Sequence, residues 1–352
     1  MRTAKFTFIC IVTAVFVLVV VAGIFLAEGA LHPGRRLLLE VDQQHAREMA
    51  NSNASDLTDI SIPANDGVIL RAWNLQPQKS FGNAVILSHG LSDNRAGMMG
   101  YAQFFLRHGY DVLMPDARAH GMSGGELATY GIRESNDLHR WLDWLAVNEH
   151  PSCIYGFAES MGAAGLLQSL HSESRFCAVA AESPFSSFRE IAYDRVGQFF
   201  HAGPWVGRII LRPIVECAFI YAKWRYQLNF DLDSPEKAVE STKVPVLLIH
   251  GQVDSNIPLR HSRKIAAGNR NVLLWEVPGA DHCGAIGIAP VELEWRVTEW
   301  FRQNDRGSSA SGVTRLELAR CSIAHAMLGL QAELPRAPQV KVRPQIPSPA
   351  QK

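Results

Sequence analysis

No C-x-x-C pair and no His/Cys cluster in this sequence has the spacing of zinc ligands, so no metal site is expected. Neither sign of charge is in excess. With 34 Lys and Arg against 34 Asp and Glu, there is no bulk electrostatic reason to expect nucleic acid or an acidic partner. Internal repeats are absent as well. The six cysteines, with Cys10 set apart near the N-terminus, form no disulfide-scaffold pattern. Cys153 and Cys177 open two apolar runs expected to be neighbouring strands. A bridge between them is conceivable in an oxidising compartment, but buried free thiols are the reading adopted here.

What is present is apolar mass. The 352 residues are 47% hydrophobic, enough to bury one large core. Residues 6–27 form an uncharged apolar run preceded by Arg2 and Lys5, and about twenty such residues suffice to cross a bilayer as a helix. Secretory signal cores are shorter, roughly 7–15 residues, so an uncleaved signal anchor is expected. The alternative is cleavage near residues 27–30 and secretion. The leading basic residues place the N-terminus in the cytoplasm and the body outside it, although Arg35 and Arg36 reduce the asymmetry.

A polar connector follows over 31–56, with room for a short helix. Residues 60–62 and 68–73, separated by Asn65-Asp66-Gly67, read as an antiparallel hairpin at a sheet edge. From there short apolar runs at 84–88, 112–115, 153–157, 178–181, 244–249 and 273–277 alternate with amphipathic stretches at 95–108, 131–147, 160–172, 260–267 and 290–303. That alternation predicts an α/β protein with a mostly parallel sheet and helices on both faces. Residues 185–239 break it with an aromatic-rich segment, read as a helical cap in which Pro204 suits a helix start. Within the cap, 205–222 reads as one apolar helix with a polar stripe of Arg208, Arg212 and Glu216. Such a helix can cover an active site or lie on a membrane surface, and covering the site is the reading adopted. The main domain is expected over 57–304. A flexible linker at 307–312 and a disordered proline-rich tail are expected within 305–352.

In a sheet of this kind ligands bind beyond the carboxyl ends of the strands. The stretch Tyr155-Gly156-Phe157-Ala158-Glu159-Ser160-Met161-Gly162 runs from a strand through a serine into a helix start. A serine on such a turn exposes its Oγ, and the helix N-terminus offers N–H groups where an oxyanion would form. A-x-S-x-G alone is a weak signal, since a serine near glycines is commonly a packing residue. Its partners decide the matter. A serine nucleophile needs a histidine base and an acid to orient it. Asp254 follows one predicted strand and His282 the next, in the order Ser, Asp, His. Asp281 adjoins His282, but neighbouring side chains in an extended loop diverge. Asp231 and Asp233 beside Ser234-Pro235 read as turn or capping residues. His250 and His261 do not sit beyond a later strand. The oxyanion donors are assigned to the Leu91 and Met161 backbone N–H groups, with Gly90 allowing the tight turn. His89 is a structural hydrogen-bonding residue in this reading. Asp116, Arg118 and His120 form a network holding the pocket wall, and Glu159 bonds nearby backbone.

Taken together, Ser88-His89-Gly90, Asp116-x-Arg118-x-His120-Gly121-x-Ser123, Ala158-x-Ser160-x-Gly162, His250-Gly251-x-x-Asp254 and Asp281-His282 resemble the α/β-hydrolase superfamily over about residues 60–304. Within it the chain is similar to membrane-anchored members of the branch holding monoacylglycerol lipases, carboxylesterases and serine aminopeptidases. The resemblance implies an eight-stranded, mostly parallel sheet, the triad Ser160, Asp254 and His282, and no cofactor. Ala158 and Ala119 stand where the common pattern has glycine; both are small, though Ala119 can tilt the loop bearing His120. The function expected is hydrolysis of small acyl esters through an acyl-enzyme. A serine aminopeptidase is the alternative, for which Glu190 and Glu216 would supply an acidic amine site, and a non-catalytic membrane-tethered binder is the third reading.

Overall fold

The computed structural model describes residues 2–201, 203, 205–232 and 234–306. The expected linker and most of the expected tail, Pro204 and Asp233 lie outside the described residues. The chain begins with α1 (Arg2–Leu31), α2 (Glu40–Ser52) and the hairpin β1 (Ser55–Pro63) and β2 (Ile69–Pro77). The alternating body comprises β3 (Asn83–Ser88), α3 (Met99–Arg107), β4 (Asp111–Pro115), α4 (Glu134–Asn148), β5 (Cys153–Glu159), α5 (Ser160–Ser169) and β6 (Phe176–Glu182). The cap helices α6 (Phe188–Phe199) and α7 (Arg212–Tyr226) interrupt it. The body resumes with α8 (Pro235–Ser241), β7 (Val246–Gly251), α9 (Arg260–Ala267), β8 (Val272–Val277), α10 (Ala285–Ile288) and α11 (Pro290–Gln303).

The eight strands lie in the order β1-β2-β4-β3-β5-β6-β7-β8. β1 is antiparallel to β2 and β2 to β4, while every other pairing is parallel. Every residue of β4, β6 and β7 is buried, as expected where helices cover both faces of a sheet. Side chains alternate between the two layers. Along β7, Leu247 and Ile249 join the face of Phe105, Trp300 and Phe301 from α3 and α11, whereas Val246 and Leu248 join that of Trp141, Leu166 and Ile265 from α4, α5 and α9. Each fully buried side chain of this size contributes about 1.5–3 kcal/mol relative to exposure. The strand order reverses around β3, which carries β4 on one side and β5 on the other. The crevice above their carboxyl ends is the place such a fold offers a ligand.

Two expectations are corrected. Cys153 and Cys177 are bridged, not free: they open adjacent parallel strands and their Cα atoms are 5.7 Å apart. The run 205–222 is not one helix. A π-type turn over Val206–Ile210 ends at Leu211, and α7 starts afresh with Pro213 in its first turn, where proline's missing N–H costs nothing. The polar stripe on it is paired within the cap. Arg208 contacts Glu190 at 2.5 Å, and Glu216 accepts from Arg189 at 2.6 Å.

Candidate active site

Ser160 opens α5 directly after β5, with φ at +50°. A non-glycine residue in that region stores strain of about 1–3 kcal/mol, which only a well-packed surrounding holds in place. The packing is visible at Gly162. A Cβ there would come within 2.5 Å of the His89 carbonyl oxygen and 2.6 Å of that of Ser88, so glycine is what lets the first turn of α5 lie against the end of β3. Ala158 is wholly buried and paired with Ser88 and Ala181, and a methyl group fits where the more usual residue is glycine.

His282, in the loop between β8 and α10, reaches Ser160 Oγ with Nε2 at 2.9 Å and Asp254 Oδ2 with Nδ1 at 2.9 Å. The carboxylate fixes the tautomer: Nδ1–H donates to Asp254, leaving Nε2 to accept from the serine hydroxyl. Asp254 Oδ1 accepts from the backbone N–H groups of Asn256 at 2.9 Å and Ile257 at 2.7 Å. Burial raises this carboxyl's pKa, but hydrogen bonds from His250 and His282 outweigh it and hold the group well below the usual carboxylate range. Asp281 points elsewhere. It accepts from the Ser255 N–H at 2.8 Å and the Ser255 hydroxyl at 3.0 Å, tying the Asp254 loop to the His282 loop. His250 is buried between Ser262 Oγ at 2.7 Å and the Ile257 carbonyl at 2.8 Å.

A second Ser-His-Asp chain was not anticipated. Ser186 Oγ lies 2.9 Å from His261 Nδ1, and His261 Nε2 lies 2.9 Å from Asp194 Oδ2. All three residues are at most 2% exposed, and the Ser186 N–H donates to the same Nδ1 at 3.1 Å. These bonds staple the cap helix α6 to α9.

The loops after β3 and β4 are joined through His89, whose Nδ1–H donates to the Gly90 carbonyl at 2.7 Å while Nε2 accepts from the Ala117 N–H at 3.0 Å. Asp116 and Arg118 do not pair with each other. Asp116 accepts from the N–H groups of Arg95 and Met122 at 2.8 and 2.7 Å. Arg118 forks onto Asp137 of α4 at 2.6 and 2.7 Å and reaches Asp66 at 2.9 Å. His120 is buried with Nδ1 2.8 Å from the Arg118 carbonyl. Among the described residues, no set of three His, Cys, Asp or Glu side chains is gathered as a metal site.

Beneath the serine lies a carboxyl pair. Glu159 and Glu182 end neighbouring strands in register, and the Tyr101 hydroxyl bonds both, Glu182 at 3.1 Å. Glu159 therefore bonds a side chain, not the backbone contact expected of it. Glu182 also accepts the Ala285 N–H at 2.9 Å. Burial, then the neighbouring Glu182, push the Glu159 carboxyl from 4.5 up to about 8, and burial raises Glu182 too. Between pH 4.5 and 8 the folded chain thus keeps a proton on Glu159 that the unfolded chain has lost, so this group's contribution falls as pH rises through that window. Glu159→Gln, which keeps a partner for Tyr101, should flatten melting temperature against pH there. Equal slopes in variant and parent would contradict the assignment.

Ser160 opens onto a cavity of about 280 Å³. Leu91 and Met161 line it beside the serine, Phe188, Val215 and Phe219 line it from the cap, and Leu26, Ala27, Ala30 and Leu31 close it from α1. That an N-terminal helix supplies part of the wall was not legible in the sequence.

The chain has the α/β-hydrolase fold. It is similar to the Pyrococcus furiosus esterase Pf2001, with a TM-score of 0.61 and 25% identity over 78% of this chain and 98% of that one. A hydrolase from Pseudomonas aeruginosa PA01 shares the fold, with a TM-score of 0.51 and 18% identity over 70% of this chain and 98% of that one. Residues 80–213 match the family described as serine aminopeptidase, S33, a stretch that includes Ser160. The Bacillus subtilis (strain 168) protein YqkD, described as uncharacterized, is 28% identical over 211 residues, which are 59% of this chain and 67% of YqkD.

Proposed function

We propose that this protein is a membrane-anchored serine hydrolase that cleaves carboxylic esters through an acyl-enzyme. The observation that carries the reading is the continuous Ser160–His282–Asp254 hydrogen-bonded chain at the floor of an apolar cavity. His282 Nε2 takes the Ser160 proton as Oγ attacks the ester carbonyl carbon. The N–H groups of Leu91 and Met161 receive the oxyanion. The tetrahedral species collapses, and the imidazolium passes its proton to the departing alcohol. Water then attacks the acyl-serine, yields its proton to His282, and releases the carboxylic acid as the proton returns to Oγ.

The S33 match favours a second reading, an aminopeptidase. Such an enzyme needs an acid for the substrate amine. No Asp or Glu is among the described residues lining the cavity, and both Glu190 and Glu216 are already paired with arginines. On the full-length protein, a fluorophosphonate probe should label one serine, and p-nitrophenyl esters should turn over in preference to aminoacyl amides. No labelling would overturn the serine hydrolase, and preferred amide cleavage would favour the peptidase.

The contacts of its last two turns support retention of α1. Tyr226 and Tyr221 donate to Glu28 at 2.8 and 2.5 Å, Tyr130 to the Ala30 carbonyl at 2.6 Å, and the Ala128 N–H to that of Leu31 at 2.9 Å. Cleavage near residues 27–30 would open the cavity. A body on the non-cytoplasmic side fits both the bridge between Cys153 and Cys177 and the fate of the two arginines after the span. Arg35 binds the Ala119 and Gly125 carbonyls and Arg36 pairs with Asp42 and Asp93, so both are committed to the domain.

A further inference from the structure

We infer that the substrate is an acyl ester resident in the bilayer, and that its acyl chain reaches Ser160 sideways, between α1 and the lower edge of the cap. The inference rests on the ester-hydrolase reading of Ser160. It starts from the length of α1. About 20 helical residues cross the hydrocarbon core, and the uncharged segment from Phe6 to Phe25 is of that length. The residues that follow, Leu26 to Leu31, emerge at the interface, and these include the wall of the Ser160 cavity. The cavity therefore begins where the span leaves the membrane.

An open groove of about 730 Å³ continues from it along α1. Leu26, Ala30, Arg195 and Val196 line both spaces, so groove and cavity adjoin at these four side chains. The groove runs down past Phe25 and Ala22 on one side and Phe200 and Ile214 on the other, toward the part of α1 assigned to the bilayer.

The cap reaches the same level. α7 follows the direction of α1, with Cys217 packed on Gly23 and the tyrosines of its last turns on Glu28. A Cβ at Gly23 would meet Cys217 Cβ at 2.6 Å, so glycine sets this close approach. The segment that leads into α7 must then lie beside the outer part of the span. Its side chains suit that place: Phe199, Trp205, Ile209 and Ile210 are 78, 58, 70 and 57% exposed. So much apolar surface is unexpected against water but ordinary at a membrane interface. Continuity with the span makes lipid the occupant of this edge.

Gly29 lines the groove and not the cavity, and a Cβ there meets nothing within 4 Å, so Gly29→Trp obstructs the route without crowding the fold. The full-length protein is placed in phosphatidylcholine vesicles carrying 1-oleoylglycerol, with p-nitrophenyl acetate in the aqueous phase as reference. Gly29→Trp should lower oleoylglycerol hydrolysis at least tenfold, with acetate turnover and fluorophosphonate labelling within twofold of the parent. Ile209→Glu, on the exposed edge outside groove and cavity, should show the same selective loss. Equal losses on both substrates, or no loss on either, would overturn the route. Absence of fluorophosphonate labelling in the parent protein would instead remove the serine hydrolase reading beneath it.

Discussion

Ser160→Ala is expected to lower ester turnover by about 10⁶-fold in kcat and to abolish fluorophosphonate labelling. The size follows from the proposed chemistry: without Oγ, His282 has no hydroxyl to activate and no acyl-enzyme can form. The residual rate would come from substrate binding and the Leu91 and Met161 N–H groups. The fold should survive. Ser160 holds φ at +50° through the packing of Gly162 against the end of β3, which the substitution leaves in place. A melting temperature near the parent's, together with lost turnover, is therefore the paired result. Turnover that persists at more than a hundredth of the parent's would locate the nucleophile elsewhere.

Asp254→Asn is expected to cost about 10⁴-fold. An asparagine preserves size but can present an N–H where the carboxylate accepted one, turning His282 to the tautomer that carries a proton toward Ser160. Asp281→Asn provides the contrast. Asp281 ties Ser255 and the His282 backbone together and does not touch the imidazole, so its loss should change turnover by less than about tenfold. Similar losses at both positions would assign the orienting role to the loop as a whole, not to Asp254. Asp254 also sets an acid limit on stability. With its pKa lowered in the folded chain, its contribution is present above the unfolded pKa and fades as pH falls through the folded one.

The sheet was legible because parallel strands covered on both faces must be continuously apolar, and the runs at 153–157 and 244–249 announce this without competing signals. α9 and α11 begin and end where their amphipathic periodicity does. Ser160, Asp254 and His282 stood out because each follows a strand, and strand ends are few. Other features depend on pairings that sequence spacing does not encode. The two cysteine-bearing runs were expected to be neighbours, but the bridge between Cys153 and Cys177 turns on the register of β5 and β6, which sets their Cα atoms 5.7 Å apart. The same register places Glu159 against Glu182. Its trace in the sequence is slight: two adjacent strands each end in Ala-Glu. The break before α7 was signalled by Pro213 and was masked by the regular recurrence of Arg208, Arg212 and Glu216. The role of α1 as a cavity wall carries no local signal, since a helix suited to lipid and one suited to an acyl chain have the same composition.

The chain through Ser186, His261 and Asp194 reproduces the distances of the catalytic candidate at another place in the same molecule. It functions as an internal control that nature supplied. Two imidazoles here are each held between a hydroxyl and a carboxylate, yet one hydroxyl faces a space a substrate can enter and the other is sealed in packed protein. What distinguishes Ser160 is vacancy: the unfilled volume in front of its oxygen.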